Sequence, residues 1–219
     1  ASGMAALTSL GDLVAPGERI VAGDDLYRGT WRLLARVVAP RGVHVDFVDA
    51  TDDDALAQAL DAPARLVLVE TPTNPMLRVV DLATLASRAH AAGAWLAVDG
   101  TATSPWLQTP LSLGADAVVH SATKLLNGHG DVTAGALAFA DAGLAERAAF
   151  GRNATGNALA PFEAWLLLRG LKTLGVRLDA QQRSAARVAA WLAGRDDLRA
   201  VHYPGLSNHT GAAIHARQA

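Results

Sequence analysis

The chain has 219 residues, a formal net charge of −2 and 51% hydrophobic side chains, which is enough for one large domain, or one domain and part of another. The near-neutral charge without a long run of one sign argues against nucleic acid or an anionic membrane surface as partner, and no apolar stretch approaches the about 20 residues of a membrane span. With no cysteine there is no disulfide framework and no thiolate metal site, and residues 1–6 lack a signal-peptide pattern, so an intracellular, cytoplasmic protein is expected.

In chain order, the first residues already carry an apolar helical pattern. Arg19 to Gly23 reads as a short strand, and Tyr27 to Val38 as a helix with Trp31, Leu34 and Val38 on one face. Val43 to Val48 is a strand, and Asp52 to Leu60 a short helix with an acidic first turn. Arg65 to Glu70 is a buried strand, stopped by the two prolines of Thr71-Pro-Thr-Asn-Pro75. Leu82 to Ala92 is a helix closed by Gly93; Ala94 to Asp99 and Ala117 to Ser121 are strands. Ala134 to Ala140 is a further strand for which an antiparallel setting is open, and Ala160 to Leu174 and Arg177 to Ala193 are long helices. Val201-His-Tyr-Pro204 begins a new element, and residues 214–219 bring no cap or closing strand, so a fragment of a longer protein is expected. Strands separated by helices predict an α/β fold, an open and mostly parallel sheet with helices on both faces.

In such sheets ligands bind beyond the carboxyl ends of the strands, where Glu70 to Asn74, Asp99 to Thr101 and Ser121 to Lys124 all fall. An amine and a carboxylate placed this way, Lys124 and Asp99, suit pyridoxal phosphate (PLP). The amine holds the aldehyde as a Schiff base, and the carboxylate keeps the ring nitrogen protonated. Between apolar runs Lys124 is expected to be partly desolvated with a lowered pKa; the plain alternative is a solvated surface charge. Ser121 and Thr123 offer hydroxyls to one phosphate, and the amides of Gly3 and Met4 supply a helix N-terminus, although taken alone Ser2 reads more readily as a simple N-cap. Asp99 also reads as a cap for its turn. Asn74 is either a turn residue or a hydrogen-bond donor to the cofactor's phenolic oxygen, and Tyr27 either core or a ring-stacking partner. His120 and His129 have no acidic or thiol companions that would complete a metal site, so no metal is expected.

Together, Ser2-Gly-Met-Ala-Ala6, Asp24-Asp-Leu-Tyr-Arg-Gly-Thr30, Glu70-Thr-Pro-Thr-Asn-Pro75, Val98-Asp-Gly-Thr101, Ser121-Ala-Thr-Lys-Leu-Leu-Asn-Gly-His129 and Leu167-Leu-Arg-Gly-Leu-Lys-Thr173 resemble the Cys/Met-metabolism PLP enzymes. The resemblance implies a fold-type-I PLP-dependent transferase, with a PLP-binding large domain at 1–175 and a connecting helix and the start of a second domain at 176–219. It implies Lys124 as the cofactor-bearing, proton-shuttling lysine and Asp99 as partner of the ring nitrogen, with Tyr27 stacked and acting in acid–base steps. Gly3, Met4, Ser121 and Thr123 would hold the phosphate, Asn74 the phenolic oxygen with Glu70 supporting it, and Thr101 would join the cofactor site.

The implied partner is a small amino-acid substrate and the implied assembly a homotetramer, a dimer of dimers. Leu166 to Arg177 and Val201 to Leu206 resemble the helix and following strand of cystathionine γ-synthases, which implies γ-replacement on an O-acylhomoserine with cysteine. Cystathionine γ- or β-lyase and O-acetylhomoserine sulfhydrylase are the alternatives. Gly29, where methionine γ-lyases carry cysteine, argues against that activity. Departures are Arg28, Gly130, Leu125 in place of an aromatic, and Gly100 in place of asparagine, expected to loosen the turn at Asp99. Two other readings are a serine acyl-enzyme built on Ser121-x-x-Lys124, without the S-D-N and K-T-G that accompany it, and an inactive fragment that only pairs with a partner subunit.

Overall fold

A computed structural model covers residues 1–219. Six strands form one sheet in the order β2-β1-β3-β4-β5-β6. They are β1 Arg19–Gly23, β2 His44–Val48, β3 Leu66–Glu70, β4 Trp95–Asp99, β5 Ala117–His120 and β6 Ala136–Phe139. The first five are mutually parallel, and β6 runs antiparallel along β5 at the edge. The order reverses at β1, between β2 and β3, which opens a crevice beyond the carboxyl ends of the strands.

Alternation along each strand builds two cores. Ile20, Ala22, Leu66, Leu68, Ala97 and Val119 face α1 (Gly3–Gly11), α2 (Arg28–Leu33) and α6 (Ala142–Ala154). Val21, Val67, Val69, Leu96 and Val98 face α3 (Asp53–Leu60) and α4 (Leu82–Ala91). Strands buried on both sides have no polar face, which is why they read as continuous apolar runs. Each fully buried leucine contributes about 1.5–3 kcal/mol.

The helices start where the sequence supplies caps. Asp52 accepts from the amides of Asp54 and Ala55, and Asp81 from that of Thr84. The helix expected over 27–38 is broken into α2, a π-helical turn at Leu34–Val38 and a 3-10 turn at Ala39–Arg41. Pro40 and the left-handed Gly42 (φ 94°) stop it.

Sequence periodicity missed α5 (Ser104–Leu107), α6 and α9 (Ala212–Gln218). The first is a single turn. The second has little amphipathic contrast, and its one clear signal is Asp141, whose carboxylate caps the Leu144 amide. α7 (Pro161–Leu171) and α8 (Leu174–Ala193) fall where long helices were expected, and residue 175 lies in the first turn of α8. Val201–Tyr203, expected as a strand, joins no sheet. α9 returns to the sheet domain, where Gln218 bonds the backbone of Leu82 and Val80 and Arg217 pairs with Asp81. No helix is long and apolar enough to cross a membrane.

Candidate active site

Four strand ends and the start of α1 converge on one cleft of about 310 Å³. All nine cofactor-binding residues expected from the sequence line it: Gly3, Met4, Tyr27, Asn74, Asp99, Thr101, Ser121, Thr123 and Lys124. Glu70, Ser2, Leu7, Val119 and Thr133 complete the walls. Leu7 and Val119 carried only a core signal in the sequence, and Thr133 carried none.

One end is an anion cradle. Ser2 Oγ accepts from the Ala5 amide at 3.0 Å, so the N-cap reading holds. It leaves the amides of Gly3 and Met4 at the head of α1 without helical acceptors, as the first turn of any helix does. Gly3 lies so close to Ser121 that a Cβ there would stand 2.7 Å from Ser121 Cβ and 2.9 Å from its Oγ. Two elements far apart in sequence thus meet with room for nothing but hydrogen at residue 3. Thr123 is partly committed elsewhere, since its hydroxyl donates to Ala134 O at 3.1 Å and accepts from Ala134 N at 2.9 Å. Its main structural task is to pin the turn to the start of β6.

At the opposite end Asp99 closes β4, almost fully buried. Thr101 N donates to Asp99 Oδ1 at 3.0 Å, and Thr101 Oγ1 accepts from Ser121 N at 2.8 Å, which links the turn after β4 to the turn after β5. Burial raises the Asp99 pKa; hydrogen bonds from Thr101 work in the opposite direction and are the smaller effect. The loosening expected from Gly100 is not found. Gly100 N donates to Val119 O and Ser104 N donates to Gly100 O. The His120 ring fills the space beside Gly100, where a Cβ would come within 2.8 Å of His120 Cε1.

Glu70, at the end of β3, accepts from the Tyr27 amide at 2.7 Å. The sequence reading gave it to Asn74; instead it fixes the backbone that carries the exposed Tyr27 ring. The Asn74 loop is held separately, by Asp25 accepting from the Thr73 hydroxyl and pairing with Arg78. Lys124 lies four residues beyond β5, in the turn 122–127. The desolvation expected for it is absent. Its side chain is exposed, as are Gly128 and His129 just past the turn.

The donor set fits a phosphate-bearing pyridine aldehyde: an anion cradle, a buried carboxylate, an aromatic ring and a free amine on one wall. A mostly parallel sheet with these groups beyond its carboxyl edge defines a fold-type-I PLP enzyme. The chain belongs to the family described as Cys/Met metabolism PLP-dependent enzyme, which matches residues 1–219. It is 45% identical to a chloroplastic cystathionine β-lyase of Arabidopsis thaliana over all of this chain and 47% of that protein. It is 42% identical to a cystathionine γ-lyase of Bacillus subtilis over 96% of this chain and 55% of that one. Its fold matches the crystal structure of cystathionine γ-synthase from Xanthomonas oryzae pv. oryzae with TM-score 0.97 and 42% identity, over 99% of this chain and 56% of the other. The chain spans about half the length of these relatives.

Proposed function

We propose that this chain carries the cofactor site of an enzyme that performs γ-replacement on an O-acylhomoserine, with cysteine as the incoming thiol and cystathionine as product. The observation that carries the reading is the convergence of Lys124, Asp99, Tyr27 and the Gly3–Ser121 cradle on one cleft. When bound, PLP supplies an aldehyde that condenses with an amino group and a ring that takes up the electron pair left when a substrate C–H bond breaks.

The chain's own groups divide the remaining work. Lys124 Nζ binds the cofactor and then moves protons at the substrate's Cα and Cβ. Asp99 opposes the positive charge of the protonated ring nitrogen, and the amides of Gly3 and Met4 with the Ser121 hydroxyl hold the phosphate. Thr101 orients Asp99, and Thr123 holds the lysine's turn. Tyr27 would stack on the ring and exchange a proton with the substrate, and Asn74 would hydrogen-bond the phenolic oxygen.

Gly29 supports the choice against methionine γ-lyase chemistry. A side chain there would begin 2.3 Å from Tyr27 Cε1, so a cysteine at 29 requires the ring to move. The relatives named β- and γ-lyases favour cleavage of cystathionine as the second reading. The homotetramer belongs to the same proposal. Exposed Phe162, Trp165, Leu168 and Val176 on α7 and α8 support burial against further protein.

The test is to add PLP to the full-length protein, reduce with borohydride and map the modified peptide. Label on Lys124 that is lost in Lys124→Ala supports the cofactor site. Product analysis with O-acylhomoserine plus cysteine, against cystathionine alone, then separates synthase from lyase. Label elsewhere, or none, overturns the reading.

A further inference from the structure

The first turns of α8 reach back to the lysine's turn through one side chain. Arg177 Nη1 donates to Leu125 O at 3.0 Å, and Nη2 donates to Leu126 O at 3.3 Å and Gly170 O at 3.1 Å. Its Nε donates to Thr173 Oγ1 at 3.0 Å. Every partner is a neutral oxygen, so the cation serves backbone carbonyls rather than a carboxylate.

Those carbonyls need it. The turn closes with Asn127 N donating to Ala122 O at 2.9 Å and Gly128 N donating to Lys124 O at 2.7 Å. Leu125 O and Leu126 O, next in line, receive no backbone donor, and a half-buried carbonyl without a donor is unfavourable. Two glycines make room for the contact. A Cβ at Gly128 (φ +74°) would sit 1.9 Å from Arg177 Nη1, and one at Gly170 would sit 2.3 Å from Asn127 O. The same stretch of α8 is fastened at a second point, where Trp106 packs on Gly175 and donates its indole N–H to Asp179 Oδ1 at 3.2 Å. Beyond it, residues 181–188 are exposed.

We propose that Arg177 is a positioning residue for Lys124: by holding the carbonyls of Leu125 and Leu126 it fixes the turn that carries the lysine, and so ties the amine's placement to α8. A planar guanidinium reaches diverging acceptors at once. A lysine ammonium at 177 offers a single point and satisfies only part of the set. The proposal rests on the reading of Lys124 as the cofactor-binding amine.

The test uses the full-length protein and the variants Arg177→Gln and Arg177→Lys, with two readouts. Hydrogen exchange at the amides of Asn127 and Gly128, without cofactor, reads the turn itself. It is expected to quicken by about tenfold or more in Arg177→Gln, with β3 and β4 amides unchanged. The rate at which added PLP becomes trappable by borohydride at Lys124 is expected to fall by about tenfold, with a shifted pH midpoint of the bound chromophore. Arg177→Lys is expected to fall between the two proteins in both readouts, and it serves alone if Arg177→Gln does not fold. Unchanged exchange at 127 and 128 overturns the proposal. So does faster exchange with an unchanged trapping rate and midpoint, which marks a purely structural role. If the unsubstituted protein takes no label at Lys124, the functional reading fails and Arg177's part in it fails too. Slow exchange at 127 and 128 in that protein then shows the turn intact and the fault elsewhere.

Discussion

Glu70 and Asp99 are Cα partners on the last rung between β3 and β4, and both are buried. In register on parallel neighbours, their carboxyl groups leave the sheet on the same side, and the charge of Asp99 opposes the ionisation of Glu70. Burial, then the charge of Asp99, raises the Glu70 pKa to about 8, against the pull of the Tyr27 amide. The cofactor-free site therefore holds a proton at neutral pH beside the place proposed for the ring nitrogen.

Stability should record that proton. The folded pKa of Glu70 lies above the ordinary 4.5, so the folded chain binds more protons than the unfolded one between those values. Its contribution is complete below about pH 4.5 and is lost as pH rises through about 8, on the order of a few kcal/mol in all. Glu70→Gln, which stays neutral, is expected to flatten this decline. Urea unfolding of cofactor-free protein at about pH 5 and about pH 9 measures it, and parallel profiles for the two proteins would reject the assignment.

Asp99→Asn should separate stability from function. Burial raises the Asp99 pKa, so its ionised form is disfavoured in the empty fold and is itself a source of instability as pH rises. The variant is expected to be at least as stable as the parent at neutral pH without cofactor. Its affinity for PLP is expected to fall by about tenfold or more, because an amide cannot oppose a pyridinium charge. Absorbance titration with PLP, alongside thermal unfolding, checks both halves. Undiminished affinity would remove Asp99 from the site.

Much of this was legible in the chain for a physical reason. Strands buried on both faces must be apolar throughout, so β3, β4 and β5 stand out, and their first polar residues mark the sheet edge where ligands bind. Lys124 and Asp99 were therefore visible in one dimension. What the sequence concealed are contacts set by tertiary approach. Nothing at residue 70 shows that its carboxylate goes to the Tyr27 amide rather than to Asn74. Thr123 looks like Ser121 in sequence, yet its hydroxyl is engaged by Ala134. The exposure of Lys124 depends on the path of the turn after β5. Arg177 stands 53 positions from Lys124, and its role depends on how α8 packs.

Gly100→Asn restores the residue usual in the family and should nonetheless destabilise this chain. The added Cβ would meet His120 Cε1 at 2.8 Å and Val118 Cγ1 at 3.4 Å. His120 is buried on β5 and has little freedom to withdraw. A loss of about 1–3 kcal/mol is expected, as for other overpacked sites. Chemical denaturation measures it. A gain in stability would mean that the amide has instead found a hydrogen bond to the buried His120 ring.

Gly3→Ala tests the cradle by filling it. The methyl group would stand 2.7 Å from Ser121 Cβ and 2.9 Å from Ser121 Oγ, so α1 and the turn after β5 must separate. Since alanine is the better helix former, a stability loss would come from that collision and not from propensity. Gly151→Ala supplies the contrast: it lies inside α6 with nothing within 4 Å of its added Cβ, and a gain of about 0.5–1 kcal/mol is expected there. For Gly3→Ala the expectation is a loss of about 1–3 kcal/mol. A fall in affinity for PLP of about tenfold or more should accompany it, as the amides of Gly3 and Met4 move off the phosphate. Inorganic phosphate should protect the parent against thermal unfolding and protect the variant less. Equal protection of both would place the phosphate away from the head of α1.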